Sequence, residues 1–300
     1  MKTLRLILGD QLNYKHSWFK DTEEDVLYYM AEMRQETDYV AHHIQKVVGF
    51  FAAMRNFSEW LSERGHEVIY HTLDTDENQQ ALPKNLKALI ASTDIEKFEY
   101  LLPDEYRLDL QLQEFCDTLE IPTEAFDTEH FLTTREELSA FFSDKKTYTM
   151  EYFYRYMRKK QDILMVNDKD PVGGKWNYDK SNRKKWKGTP EIPHDKGFRK
   201  DVTKLLALIE SHEIKTIGTI DPEQFRWPTS RSDSLQVLRY FTKELLPHFG
   251  DYQDAMDPDE PFLFHSKLSF ALNTKMISPK EVINAVIDAW EEDKERIDIS

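Results

Sequence analysis

Thr3-Leu4-Arg5-Leu6-Ile7-Leu8-Gly9-Asp10-Gln11-Leu12 is the stretch whose reading decides the fold. Residues 3–8 are largely apolar with weak alternation and run into Gly-Asp, which reads as a β-strand and a turn. Working outward, Asp25 to Ala31 reads as a second strand. Glu67 to Tyr70 and Phe98 to Leu102 read as further strands, with another before Phe126. Between them, Asp38 or Thr37 is placed to cap a long helix. Val40, Ile44, Val47, Phe51, Met54 and Leu61 recur at helical spacing in it, and Gly65 stops it. Leu86 to Ala91 and Leu108 to Leu119 read as two more helices. Strands alternating with helices imply an α/β fold with a mainly parallel sheet covered on both faces. Ligands of such sheets sit beyond the carboxyl ends of the strands.

The pattern changes after about residue 130. Tyr148 to Lys160 looks helical, and Val166 to Pro193, with Gly173-Gly174 and several prolines, reads as a long loop of the kind that is functional or disordered. Helical patterns follow at Phe198–Glu210, Ser232–Leu246, Ser266–Asn273 and Pro279–Trp290. The expected organisation is an α/β domain over 1–130, a connecting helix and basic loop over 131–197, and the start of an all-helical domain over 198–300. The apolar faces carried by Phe262, Leu263, Phe264, Leu268 and Phe270 ask for more partner surface than these helices offer, so the helical domain is expected to be incomplete.

With 40% hydrophobic and 13% aromatic residues, the 300-residue chain can bury cores. No apolar run reaches membrane-span length, and the short apolar start reads as a strand, so a soluble cytoplasmic protein, expected to be a monomer, follows. The single cysteine, Cys116, excludes an internal disulfide and a multi-thiolate metal site within these residues. The net charge of −15 is unevenly spread: residues 155–200 carry 14 Lys and Arg against 6 Asp and Glu, and the remainder 26 against 49. One basic stretch on an acidic body can still bind a polyanion, because screening confines charge effects to roughly 8–10 Å.

Four places have the residues for chemistry. Gly9, Asp10 and Gln11 put a close-approach glycine, an acceptor and an amide at a strand's carboxyl end, although any α/β protein can carry Gly-Asp there. Glu36, Thr37, Asp38 and Tyr39 with His42-His43 offer carboxylates, an aromatic and imidazoles at a helix start; capping by Asp38 and ordinary packing or solvation of the histidines explain them narrowly better. His42 and His43 point about 100° apart on a helix and make a poor metal pair. Arg155, Arg158, Lys159, Lys160, Arg183, Lys184, Lys185 and Lys187 interleave with Tyr154, Trp176 and Trp186, the mixture of phosphate-neutralising cations and stacking faces used by nucleic-acid binders. Ser266 is placed to cap a helix whose first-turn amides, with Lys267, would form an anion site; a plain capped helix is the alternative. The common phosphate loops and the Gly-x-Ser-x-Gly elbow are absent from the sequence.

Taken together, Leu6-Ile7-Leu8-Gly9-Asp10-Gln11-Leu12, Tyr39-Val40-Ala41-His42-His43, Met150-Glu151-Tyr152-Phe153-Tyr154-Arg155, Pro171-Val172-Gly173-Gly174-Lys175-Trp176-Asn177 and Gln253-Asp254-Ala255-Met256 resemble the photolyase-related proteins, the iron–sulfur bacterial cryptochromes and (6-4) photolyases. The resemblance implies a Rossmann-like antenna domain followed by a helical FAD domain. It implies a 6,7-dimethyl-8-ribityllumazine antenna at or near Gly9, Asp10, Gln11, Glu36, Tyr39, Phe50 and Glu105. It implies flavin contacts at Ser266, Lys267, Leu268 and Ser269, with Tyr252 nearby, and damaged DNA as partner. The implied activity is light-driven electron transfer from reduced FAD to (6-4) photolesions, a lyase reaction, with a cryptochrome-type photoreceptor as the alternative. The family's [4Fe–4S] cluster needs four cysteines and is expected only in the full-length protein, since Cys116 matches none of them. This chain alone is expected to be inactive.

Overall fold

The computed structural model describes residues 1–179, 182 and 184–299. Its elements in chain order are β1 (Thr3–Leu6), β2 (Val26–Ala31), α1 (Gln35–Asp38), β3 (His42–His43), α2 (Ile44–Glu63), β4 (Glu67–His71), α3 (Leu82–Ser92), β5 (Lys97–Leu101), α4 (Tyr106–Cys116), β6 (Thr123–Phe126), α5 (Arg135–Phe142), α6 (Met150–Lys160), α7 (Thr203–Ser211), β7 (Thr216–Ile217), α8 (Arg231–Tyr240), α9 (Leu246–Tyr252), α10 (Ser269–Asn273) and α11 (Pro279–Glu292). Two compact units result. One comprises Met1–His130, Gly197–Leu235 and Phe270–Ile277; the other comprises Phe131–Lys196, Gln236–Ser269 and Ser278–Ser300. Segment 198–300 is therefore divided between them.

The first unit is built on a five-stranded sheet ordered β4-β2-β1-β5-β6, with every pairing parallel. Each crossover is long enough for a helix, and β2 is buried along its whole length, as a parallel sheet clad on both faces requires. Leu4, Leu6, Leu27, Tyr29, Phe98 and Tyr100 pack with Leu86, Leu112 and Phe115 of α3 and α4 in one core. Arg5 breaks the apolar run of β1 without harm. Its guanidinium is 2.7 Å from both Glu99 and Glu23 and lies 4.9 Å over the Trp18 ring. The chain reverses direction across the sheet between β1 and β5, the switch point where such folds open a crevice.

Several boundaries differ from the sequence reading. The long helix starts at Ile44 and is capped by His43, whose Nδ1 accepts from Gln45 N. Thr37 and Asp38 are used inside the separate short α1, where the Thr37 hydroxyl donates to Arg34 O and Asp38 pairs with Arg34. Phe198 to Lys200 is extended, bonding the backbone of Phe225 and Arg226, so α7 begins only at Thr203. In the second unit the helix expected to run to Leu246 passes through a π-turn at Phe241–Leu245. Pro247 has no N–H to return to Lys243 O, and the Arg296 guanidinium donates there instead at 3.1 Å. Among the described residues no helix is long and apolar enough to cross a membrane.

Candidate functional site: a cavity at the carboxyl edge of the sheet

In the first unit a cavity of about 220 Å³ opens beyond the ends of β1 and β2. Leu6 to Asp10 form its floor, because β1 must turn there and Gly9 lets the backbone pass under α2. A β-carbon at Gly9 would stand 2.9 Å from Met54 Sδ. Phe50, Phe51 and Met54, one face of α2, form an apolar wall, and Ala31, Met33, Leu82 and Leu108 complete it. Glu36 and Tyr39 come from α1 and the residue after it, His42 and Lys46 from β3 and α2, and Glu105 from the residue before α4.

The rim is polar and internally braced. Arg107 donates to Glu36 Oε2 at 2.8 Å and to both oxygens of Glu105 at 2.9 and 3.0 Å, while its guanidinium lies 4.6 Å over the Tyr39 ring. Burial, with Glu105 and Glu36 beside it, pushes the Tyr39 phenol up, so it stays a neutral donor near neutrality. Burial and the neighbouring Lys46 ammonium push the His42 imidazole down. Burial holds the Asp10 carboxyl above its ordinary value; Lys275 opposes that rise and Asp104 adds to it. At about 220 Å³ the space lies just below the usual ligand-pocket range of about 300–1,000 Å³ and suits a compact ring system rather than a dinucleotide. An apolar slot with a few fixed polar groups is the usual form of a small-molecule site.

Of the residues expected at the antenna, Gly9, Asp10, Glu36, Tyr39, Phe50 and Glu105 line this one cavity. Gln11 does not. It is 1% exposed, accepts from Leu8 N and donates to Leu101 O, bracing β1 against β5 at the switch point. Sequence reading missed Arg107 and Lys275. Neither sits in a motif, and their partners Glu36 and Asp10 lie 71 and 265 residues away.

In the second unit the expected flavin segment takes another form. Ser266 does not cap a helix: Lys267 has φ 56°, a left-handed value that a right-handed helix cannot hold, and α10 starts at Ser269 with five residues. Lys267 pairs with Asp195 and lies 4.9 Å from the Phe262 ring centre, and burial pulls its ammonium down to about 8. Leu268 is buried, and Tyr252 donates to Thr189 O with its ring 5.3 Å from Phe264. His265 Nε2 is buried without a hydrogen-bond partner among the described residues. One imidazole nitrogen is not a pyrophosphate cradle, and a lysine already paired with Asp195 beside a one-turn helix adds none. These residues do not fit FAD phosphates.

The basic residues of this unit are unequal. Arg158 is 8% exposed and donates to the carbonyls of Ile163 and Leu164 and to Tyr154 Oη, so the expectation of a phosphate contact is corrected there to an internal staple. Arg155 pairs with Glu151, Lys160 with Glu137 and Lys184 with Asp251. Arg155, Arg158 and Lys159 all lie 5.2–5.4 Å from the centre of the Trp176 ring. Lys159, Lys185 and Lys187 are exposed, and Arg183 lies outside the described residues.

Residues 5–227 match the family described as deoxyribodipyrimidine photo-lyase-related protein. The chain is 32% identical over 296 residues to a (6-4) photolyase of Agrobacterium fabrum strain C58, covering 97% of this chain and 58% of that protein. An uncharacterised protein of Acanthamoeba polyphaga mimivirus is 29% identical over 164 residues, 53% of this chain and 79% of that protein. The crystal structure of a bacterial class III photolyase from Agrobacterium tumefaciens shares the fold with TM-score 0.53 at 14% identity, covering 99% of this chain and 54% of that one. The chain thus spans little more than half the length of the named photolyases. With the family match covering most of its residues and this likeness along nearly all of it, the chain belongs to the deoxyribodipyrimidine photo-lyase-related protein family.

Proposed function

We propose that the cavity holds an antenna chromophore of the lumazine class, 6,7-dimethyl-8-ribityllumazine, and that the whole protein repairs (6-4) photolesions in DNA in the light. The antenna reading is carried by the convergence of Gly9, Asp10, Glu36, Tyr39, Phe50 and Glu105 on one ring-sized cavity. Such a ring, when bound, supplies light absorption. The chain's own residues do the holding. Phe50, Phe51 and Met54 cover an apolar face and exclude water, Asp10 accepts from a ring or hydroxyl donor, and the braced Glu36 and Glu105 accept from a polyol chain. Three carboxylates against one lining lysine disfavour a phosphate-bearing ligand.

The repair reading rests on the likeness to a protein named (6-4) photolyase along nearly the whole chain. The family reading calls for FAD as electron donor, and no step is assigned to residues 266–269, whose arrangement does not fit it. Exposed Lys159, Lys185 and Lys187 are the residues proposed to meet DNA phosphates. The test uses the intact gene product and an oligonucleotide carrying one (6-4) photoproduct, illuminated with blue light. Restoration of the intact pyrimidines is expected. A protein that carries reduced flavin yet restores nothing would instead be a cryptochrome-type photoreceptor.

A further inference from the structure

Lys275 is 2% exposed and is the lysine driven deepest into the first unit. Its Nζ donates to Asp10 O at 2.8 Å, lies 2.6 Å from Asp104 Oδ2 and 3.5 Å from Asp10 Oδ2. It cannot drift, because its flanks are tied: Leu12 N donates to Thr274 O at 3.0 Å, and Arg231 donates to Met276 O at 3.0 Å. The Asp10 and Asp104 side chains keep 33% and 35% of their surface exposed, so the cation is the sealed member of the triad. The other charged or titratable groups lining the cavity are Glu36 and Glu105, both held by Arg107, then Tyr39, His42 and Lys46. Asp10 has a cation of its own in Lys275, which balances its charge.

We propose that Lys275 is a positioning residue that holds Asp10 ionised, as a hydrogen-bond acceptor on the cavity floor, and thereby selects a ligand presenting a ring N–H or hydroxyl donor at that spot. The inference rests on the antenna reading of the cavity. An ionised carboxylate only accepts, whereas a protonated one also donates, so the charge on Asp10 decides which edge of a heterocycle can face it. With Lys275 removed, Asp10 loses the cation that opposes its burial, and the protonated form is favoured even where Asp104 is also removed.

The test compares wild type, Asp10→Asn and the double variant Lys275→Met with Asp104→Asn, which removes the cation and one carboxylate together and so protects the fold. Binding of 6,7-dimethyl-8-ribityllumazine is followed by fluorescence titration across mildly acidic to mildly basic pH. Wild type should bind with a flat profile, and Asp10→Asn weakly at every pH. The double variant should lose affinity on acidification, about tenfold per pH unit once Asp10 protonates. Carboxyl-labelled aspartate NMR without ligand supplies the second readout: the Asp10 resonance, identified by its loss in Asp10→Asn, should titrate at higher pH in the double variant. An unmoved Asp10 titration, or a flat binding profile in a folded double variant, overturns the proposal. Wild type that binds no lumazine, with the NMR shift present, overturns the antenna reading and the ligand selection while leaving Lys275 in control of Asp10.

Discussion

His16 makes two hydrogen bonds that only a neutral imidazole can make together. Its Nδ1 accepts from Trp18 N at 3.1 Å, so its Nε2–H must face Asp127 O at 2.9 Å, and the side chain is 1% exposed. Burial therefore holds its pKa below the ordinary 6.5, against the pull of nearby Asp127 and Glu129. With the folded value below the unfolded one, the unfolded chain takes up the proton first as pH falls. Unfolding free energy should then decline from 6.5 down to the depressed folded value, at up to about 1.4 kcal/mol per pH unit. Urea unfolding of wild type and His16→Asn across that window checks this, with a shallower decline in the variant. Gly9→Ala is the second case at this scale. The added carbon meets the flexible end of Met54, a cavity-lining residue, at 2.9 Å, so the sulfur must shift. Stability should fall by about 1 kcal/mol and lumazine affinity by more than stability alone explains. Thermal melts beside a binding titration separate the two effects. That Gly9 would allow a close backbone approach at the end of β1 was legible in the sequence, and Gly9 and Asp10 do line the cavity there. Arg107 and Lys275 were not legible, because no local pattern records a partner brought in by the fold.

At the level of elements, Glu32, the residue after β2, ties that strand to α2 through an ion pair with Arg55 whose carboxylate is buried. Glu32 has no exposed side-chain surface and accepts from Arg55 through both oxygens, at 2.6 and 2.9 Å, from the Tyr70 hydroxyl and from Leu73 N. Arg55→Met would leave that carboxylate without its cation, and urea unfolding should show a loss of about 3 kcal/mol. The conservative Arg55→Lys should lose less but not recover wild type, since one ammonium cannot bond both oxygens. The five strands of the main sheet and the α2 apolar stripe from Ile44 onward were readable from the sequence pattern, whereas β3 and β7 were not, His42 and His43 having been expected on the helix. The element ends were not readable either. The α2 cap moved to His43 because Thr37 and Asp38 bond within α1, and the expected helix at Ser266 failed at the left-handed Lys267. Both are local hydrogen-bond and backbone choices that hydrophobic spacing does not encode.

For the molecule as a whole, the basic stretch stands against an acidic remainder, and its ion pairs say which cations are available. Lys184 is engaged by Asp251, while Lys185 and Lys187 are exposed. Replacing all three with Ala should weaken DNA binding and lower the slope of log K against log salt by about two, near 0.9 for each phosphate left unneutralised, rather than by three. An unchanged slope would remove this stretch from the DNA surface. The α/β architecture and the place of the cavity followed from strand–helix alternation, because parallel sheets open at their carboxyl edge. The division of residues 198–300 between two units did not follow, since it depends on where segments 197–235 and 270–277 pack. The most direct test of the account is an equilibrium titration of the purified chain with 6,7-dimethyl-8-ribityllumazine, repeated on Glu36→Ala and Tyr39→Ala. One saturable site per chain is expected, lost or weakened at least tenfold in each variant, about 1.4 kcal/mol. Absence of saturable binding, or binding that both substitutions leave untouched, would contradict it.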